Sequence, residues 1–365
     1  MEFMKVGQLS RVVVKGFKSI KECDIELSDI NVLIGSNGAG KSNFISIFEM
    51  LQKILVRELA FYTGKKGVAS LLYNGKKVTD SILAEFHFND DVYSYEVEWT
   101  ENDRLLFRVE SFNLSGKKFL HESGHNESNA LNTLRRISDF VYIPQIMVKP
   151  SWRIYQFHDT GSSSLIKSEH NISNCAVLIN DARNLAAFLY RLKQNFSKEY
   201  EDILSAIQLV APFFKDFVLE PRELNEEQIV LRWLKKDCVD IFNASQLSDG
   251  TLRFICLATL LLQPAEMQPS TIIIDEPELG LHPVAISILA EMVQKVAINK
   301  QVIIATQSVE LLNHFNVDDV VVVDNDESGS RFKRLEREQL NYWLENDYSL
   351  GELWDKNVLG GRFSR

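Results

Sequence analysis

Residues 35–42 read GSNGAGKS, and no other stretch of the chain limits the available folds so sharply. The pattern is glycine, four residues, then glycine-lysine-serine. It follows the apolar run INVLI (30–34) and precedes a segment in which Phe44, Phe48, Leu51 and Leu55 recur at spacings of three and four. That context reads as strand, tight glycine turn, helix. The glycines let backbone N–H groups from Asn37 to Lys41 curl around an anion, and the helix N-terminus adds its orphan donors and positive dipole end. Asn37, Gly38, Ala39, Gly40, Lys41, Ser42 and Asn43 are therefore the candidate phosphate contacts. The Lys41 ammonium would neutralise β- and γ-phosphate oxygens, and the Ser42 hydroxyl would ligate Mg²⁺.

Three later stretches, TIIIDEP (271–277), QVIIATQS (301–308) and DVVVVDN (319–325), are continuous apolar runs that end in polar residues. Such runs suit strands buried on both faces of a mostly parallel sheet. Asp275 and Glu276 then stand where a strand emerges at its C-terminal edge, the side on which open α/β sheets bind ligands. Two adjacent carboxylates behind an isoleucine run are costly unless a metal or hydrogen bonds offset them. Asp275 is the candidate Mg²⁺ holder, and Glu276 the residue that polarises an attacking water. Pro283 opens the next helix, with Ile286, Leu289, Met292, Val293 and Val296 available for packing.

Between about 80 and 115 the period falls to two. ILAEFHF and YSYEVEW flank Asn89-Asp90-Asp91, and RLLFRVESFNL continues the habit, so an antiparallel β-subdomain is expected. From about 175 to 215 the helical period returns, with stripes at Leu185, Phe188, Leu189, Leu192 and Phe196 and at Tyr200, Ile203, Leu204 and Ile207. No heptad is sustained. The fold class is thus α/β, a phosphate-loop domain with a mostly parallel core sheet, an antiparallel β-subdomain and a helical insertion.

Composition narrows the partners. The 365 residues carry a net charge of −10, so the surface as a whole is not built to attract nucleic acid. Four scattered cysteines contain no CxxC pair, which argues against zinc or a disulfide framework and fits a reducing compartment. The N-terminus lacks a signal-peptide pattern. FICLATLLL (254–262) is about half a membrane span. A cytoplasmic protein with no membrane partner is expected.

LSDGT (247–251) opens the helical run TLRFICLATLLL. A serine and a glycine-centred turn at a helix start can bind an anion, and simple capping by Ser248 or Asp249 reads equally well from the residues alone. Order is more specific than any one part. With VKGFKS (14–19), IGSNGAGKSN (34–43), LSDGTLRF (247–254), IIIDEPELGLHP (272–283), IIATQS (303–308) and LWDKNVLGG (353–361), the chain resembles the ABC-type ATPases along nearly its whole length. The likeness is to the RecF/SMC/OLD-like branch of AAA-family ATPases. The tail and YQFHDT (155–160) resemble a compact bacterial subgroup linked to antiphage defence.

The resemblance implies ATP and Mg²⁺ as cofactors, and a homodimer with two ATP molecules sandwiched between two heads. Ser248, Asp249 and Gly250 would cap, in trans, the γ-phosphate held by the partner's loop, and ELGLHP (278–283) would cross to the partner. Gln307 stands at the switch position where transporter-type members carry histidine. It can hydrogen-bond the γ-phosphate or orient water but cannot become charged, so slow hydrolysis is expected. A glutamine answering to Mg²⁺ and the γ-phosphate is either Gln145 or Gln156. Phe17 and Lys18 would lie near base and ribose. The implied lobes are 1–160, a helical insertion with the signature at 161–265, and 266–365.

SMC proteins insert long coiled coils, and OLD nucleases continue into a Toprim domain. Here about 40 residues follow VVVVD. A stand-alone sensor or regulator with a separate nuclease or toxin effector is expected, by family analogy. Two other readings stay open. One is a RecF-like ATP-gated DNA clamp, marked by salt-sensitive DNA affinity. The other is a slowly hydrolysing, ATP-assembled scaffold for a toxin or nuclease.

Overall fold

In the computed structural model, which describes residues 8–114, 116–129, 152–222 and 224–361, the alternating strand Ser81–Phe88 buries Ile82, Ala84, Phe86 and Phe88 on one face. It belongs to a six-stranded antiparallel sheet ordered Ile20–Glu26, Arg11–Phe17, Ser81–Phe88, Asp91–Trp99, Leu105–Leu114, Lys117–His125. Register is set by apolar pairs such as Phe86 opposite Tyr93 and Ala84 opposite Tyr95. Slipping by one residue would expose that whole set. The expected hairpin forms, with Asn89 in the left-handed region at φ 59°. The N-terminal strand Arg11–Phe17 joins this sheet, so the β-subdomain is larger than the stretch from 80 to 115. Its buried Glu110 accepts hydrogen bonds from the Tyr93 hydroxyl at 2.8 Å and the Asn129 N–H at 2.9 Å.

The second sheet is the expected core. Its order is Gly329–Arg334, Val320–Asp326, Ile30–Ile34, Gln301–Thr306, Thr271–Asp275, Trp152–Tyr155. Ile30–Ile34 runs parallel to both Gln301–Thr306 and Val320–Asp326, and Gly329–Arg334 adds an antiparallel edge. Val32, Leu33, Ile34, Val302, Ile303 and Ile304 are fully buried. Each such side chain contributes about 1.5–3 kcal/mol of transfer free energy. The helix Lys41–Leu55 buries the predicted Phe44, Phe48, Leu51 and Leu55, and these join one core cluster with Phe86, Leu33 and Ile303.

By contacts the chain forms two compact units. One comprises Met1–Ile154, Ser270–Ile273 and Lys300–Arg365; the other comprises Tyr155–Pro269 and Ile274–Asn299. The second holds the helices Leu185–Asn195, Ser197–Val210, Asp249–Leu262 and Pro283–Ala297 and a three-stranded sheet, Phe214–Val218, Arg232–Lys235, Ile241–Asn243. The helical insertion starts later than the period suggested. Asn184, fully buried, accepts from the Ile179 N–H at 3.0 Å and donates to the carbonyls of Asn174 and Val177 at 2.8 Å. That side chain fixes the preceding residues as turns, because it takes backbone groups a helix would have used. Phe196 interrupts the stripe as the junction between two helices.

Candidate active site

Ile34 ends its strand level with Thr306 on one neighbour and Val322 on the other, so the phosphate loop and Gln307 leave the sheet at one edge. Gly38 and Gly40 take φ of 81° and 116°, which side chains rarely adopt. A Cβ on Gly40 would also lie 2.1 Å from the Ser330 hydroxyl, and one on Gly35 would lie 2.4 Å from the Val323 carbonyl oxygen. The loop is therefore held from behind. Ser330 and Asn43 each donate to the Ser19 hydroxyl at 2.7 Å, which ties the hairpin at Gly329 and the VKGFKS turn to the start of the helix.

Lys41 is only 5% exposed, and its ammonium donates to the carbonyls of Gly35 at 2.6 Å and Ser36 at 3.0 Å. Its charge is thus kept at the loop. No acid sits in the first turn of Lys41–Leu55 to cancel the dipole there. Asn37, Gly38 and Ser42 are exposed, while Ala39 and Gly40 are buried. Lys18, at φ 49°, donates to the Ser46 hydroxyl at 2.7 Å, one turn beyond Ser42. Burial, aided by the charge of Lys66, holds the Lys18 ammonium below the usual lysine range. Phe17 requires a correction. Its ring is 1% exposed, inside the core of the first unit, so it cannot stack on a base. Period two would group Phe17 with exposed Lys15, but Gly16, at φ 74°, breaks the alternation and turns the ring into the core with Val12 and Val14.

In the second unit, Asp275 ends its strand buried. Gln156 Nε2 donates to Asp275 Oδ2 at 3.3 Å, and His158 Nε2 donates to the Asp275 carbonyl oxygen at 3.0 Å. Gln156 therefore touches the candidate metal carboxylate, whereas Gln145 lies outside the described residues. Glu276 has φ 46°, a left-handed conformation that costs a side-chain-bearing residue roughly 1–2 kcal/mol. Strain held at such a position is a feature that functional sites share.

At 247–251 the capping alternative is what the structure holds. Ser248 is the N-cap, accepting from the Thr251 N–H at 3.2 Å, and the helix begins at Asp249. Gly250 lies inside the first helical turn and forms no glycine turn. Its small size serves a different end. A Cβ there would lie 2.3 Å from the Gly280 carbonyl oxygen, so the helix can touch the loop after Glu276 only with glycine at this place.

The residue missed in the sequence is Arg253. It is 6% exposed; its guanidinium donates to the Phe157 carbonyl at 2.9 Å, the His158 carbonyl at 3.2 Å and the Leu279 carbonyl. One side chain thus joins the signature helix, the Gln156–His158 segment and the loop following Glu276. Burial lowers its pKa from the ordinary arginine value. The available signal was a lone cation between Leu252 and Phe254 in an otherwise apolar helical run. Arg253→Lys keeps the charge but cannot span three carbonyls. We expect about tenfold slower phosphate release and a Tm several degrees lower, since charge-assisted hydrogen bonds contribute roughly 1.5–3 kcal/mol each.

The donor chemistry suits Mg-ATP. The Ser42 hydroxyl in one unit and the Asp275 carboxylate in the other are each of the oxygen-donor type that Mg²⁺ takes beside phosphate oxygens and water. Beside Gly38, where a Cβ would meet nothing, the face of the loop away from Val323 and Ser330 is open. Among the described residues no helix is long and apolar enough to cross a membrane.

Solved structures sharing the fold include an SMC head bound to the C-winged helix domain of ScpA. Its TM-score is 0.60 at 17% identity, over 92% of this chain and 99% of that one. A second is the SMC head with an extended coiled coil bound to the C-terminal domain of ScpA from Pyrococcus furiosus, with a TM-score of 0.56 at 14% identity, over 93% and 99%. The fold is that of these SMC heads, with the phosphate loop at the edge of its core sheet. The chain belongs to the family described as "AAA domain, putative AbiEii toxin, Type IV TA system", matched over residues 30–313. It is also 25% identical over 373 residues to the Old nuclease of Escherichia phage P2, covering 91% of this chain. The chain spans 62% of the length of that nuclease.

Proposed function

We propose that the chain is a slow Mg²⁺-dependent ATP hydrolase whose ATP-sandwiched homodimer acts as a sensor or regulator in defence against phage. A separate nuclease or toxin would read the dimer. The observation that carries this reading is the signature helix. Its exposed start carries the serine cap Ser248 and, beside it, Asp249, whose carboxylate lies 3.8 Å from the Lys167 ammonium, while Gly250 and Arg253 fasten the same helix to the loop beside Asp275 and Glu276. A helix start built this way can receive a second subunit's γ-phosphate and feel its loss.

In the reaction, Lys41 and the loop N–H groups hold the β- and γ-phosphates. Ser42 and Asp275 are the residues that would ligate Mg²⁺, and the ion would supply positive charge to the developing transition state. Gln156 orients Asp275. Glu276 polarises the attacking water, Gln307 steadies it or the γ-phosphate, and Ser248 caps from the opposite subunit. The similarity to an Old nuclease and the family's description as a putative toxin of a type IV TA system support a nuclease or toxin as the effector. The ScpA domains on the SMC heads support a protein partner for this head.

Light scattering with Mg-ATP tests the dimer. Ser248→Arg should leave ATP binding in place and abolish the ATP-dependent doubling of mass, because the new side chain fills the cap. Doubling retained in that variant would remove the trans role of Ser248.

A further inference from the structure

The tail LWDKNVLGG is not used by the reaction just described, yet it is attached to both segments that this reading places on the γ-phosphate. The backbone carbonyl of Gly361 accepts from the Ser36 N–H, inside the phosphate loop, at 3.2 Å. Gly361 is buried at φ 79°, and a Cβ there would lie 2.8 Å from Val322 Cγ1 and 3.0 Å from the Trp354 ring. Val322 is itself level with Ile34, the last strand residue before the loop. At its other end the tail helix Leu350–Asp355 has the Gly351 N–H donating to Asn313 Oδ1 at 2.6 Å. Asn313 caps the short helix Val309–Leu312, which starts two residues after Gln307.

We infer that the segment Leu350–Gly361 is a bracket that sets the phosphate loop and the Gln307 segment relative to each other, with Gly361 as a positioning residue for ATP binding. Ser36 is the second residue of the loop, ahead of the N–H groups that curl around phosphate. Its bond to Gly361 therefore fixes where the loop begins without occupying a phosphate donor. Glycine is required twice over, for a left-handed backbone and for space between Val322 and Trp354. The inference rests on the phosphate loop binding ATP.

Gly360 supplies an internal control. It has the same φ of 79° but open space where a Cβ would go. Gly360→Ala and Gly361→Ala carry the same backbone strain, and only the second forces the tail away. Titration of each full-length variant with a fluorescent ATP analogue and Mg²⁺, beside thermal melts without nucleotide, separates binding from folding. Gly361→Ala should weaken binding roughly tenfold and melt lower than Gly360→Ala, which should weaken binding less than about threefold. Asn313→Ala, an exposed change that removes the acceptor at the other end, should weaken binding in the same direction whether or not Gly361→Ala folds. Wild-type affinity in both Gly361→Ala and Asn313→Ala overturns the bracket. Wild-type protein that binds no ATP, or a Lys41→Ala variant that binds as well as wild type, overturns the nucleotide reading and the bracket with it.

Discussion

Glu276→Gln is expected to lose phosphate release by 10²–10⁴-fold, roughly what one general base contributes, while retaining Mg-ATP and accumulating as a dimer twice the monomer mass. The amide keeps the shape and removes the proton acceptor. A second substitution at the same position separates chemistry from stability. Glu276 sits at φ 46°, so Glu276→Gly relieves left-handed strain at the expense of a floppier unfolded chain. A net stabilisation on the order of 0.5 kcal/mol is expected, together with the same loss of turnover. A variant that is slightly harder to melt and catalytically dead would mark the strain as belonging to the site. Phosphate release by Glu276→Gln at the wild-type rate would remove Glu276 from its role.

Gly250→Ala should reverse an ordinary rule. In a solvent-exposed helix, alanine for glycine stabilises by about 1 kcal/mol. Here the added methyl would meet the Gly280 carbonyl oxygen at 2.3 Å, and that oxygen is backbone with no rotamer to change. Gly280 is itself at φ 73°, and the preceding Leu279 carbonyl is held by Arg253. Overpacking of this kind costs about 1–3 kcal/mol, which exceeds the propensity gain. Urea melts should show a net loss of stability, and light scattering should show no ATP-dependent dimer, because the helix can yield only by tilting Ser248 away. A more stable protein with an intact dimer would show that the contact is slack.

Much of this molecule was legible where physics is local. The glycine loop, the helix Lys41–Leu55, the period-two strands and the apolar runs of the core sheet follow from spacing, because one periodic face must be buried whatever surrounds it. What escaped depends on partners far away in sequence. Arg253 appears as a single charge in an apolar run, and its meaning lies in carbonyls at 157, 158 and 279. Gly250 reads as a turn former until Gly280 is beside it. Phe17 reads as a candidate base contact until the left-handed Gly16 is seen to turn it into the core against the period of its strand. The pairing of Arg11–Phe17 with Ser81–Phe88 had no local signal either, because 63 residues separate the two strands.

The strand that precedes the phosphate loop has neighbours that appear late. Ile30–Ile34 lies between Gln301–Thr306 and Val320–Asp326, so about 270 residues separate the loop from the strands beside it. Domains usually fold in the order they are synthesised, N-terminal first. Here the strand order in the sheet favours the reverse. The unbroken stretch 155–269 can gather its helices while the GSNGAGKS sequence still lacks both flanking strands. A growing chain would thus acquire its nucleotide cradle last, and capture of ATP would report that translation has passed Ser330 and, on the bracket reading, Gly361.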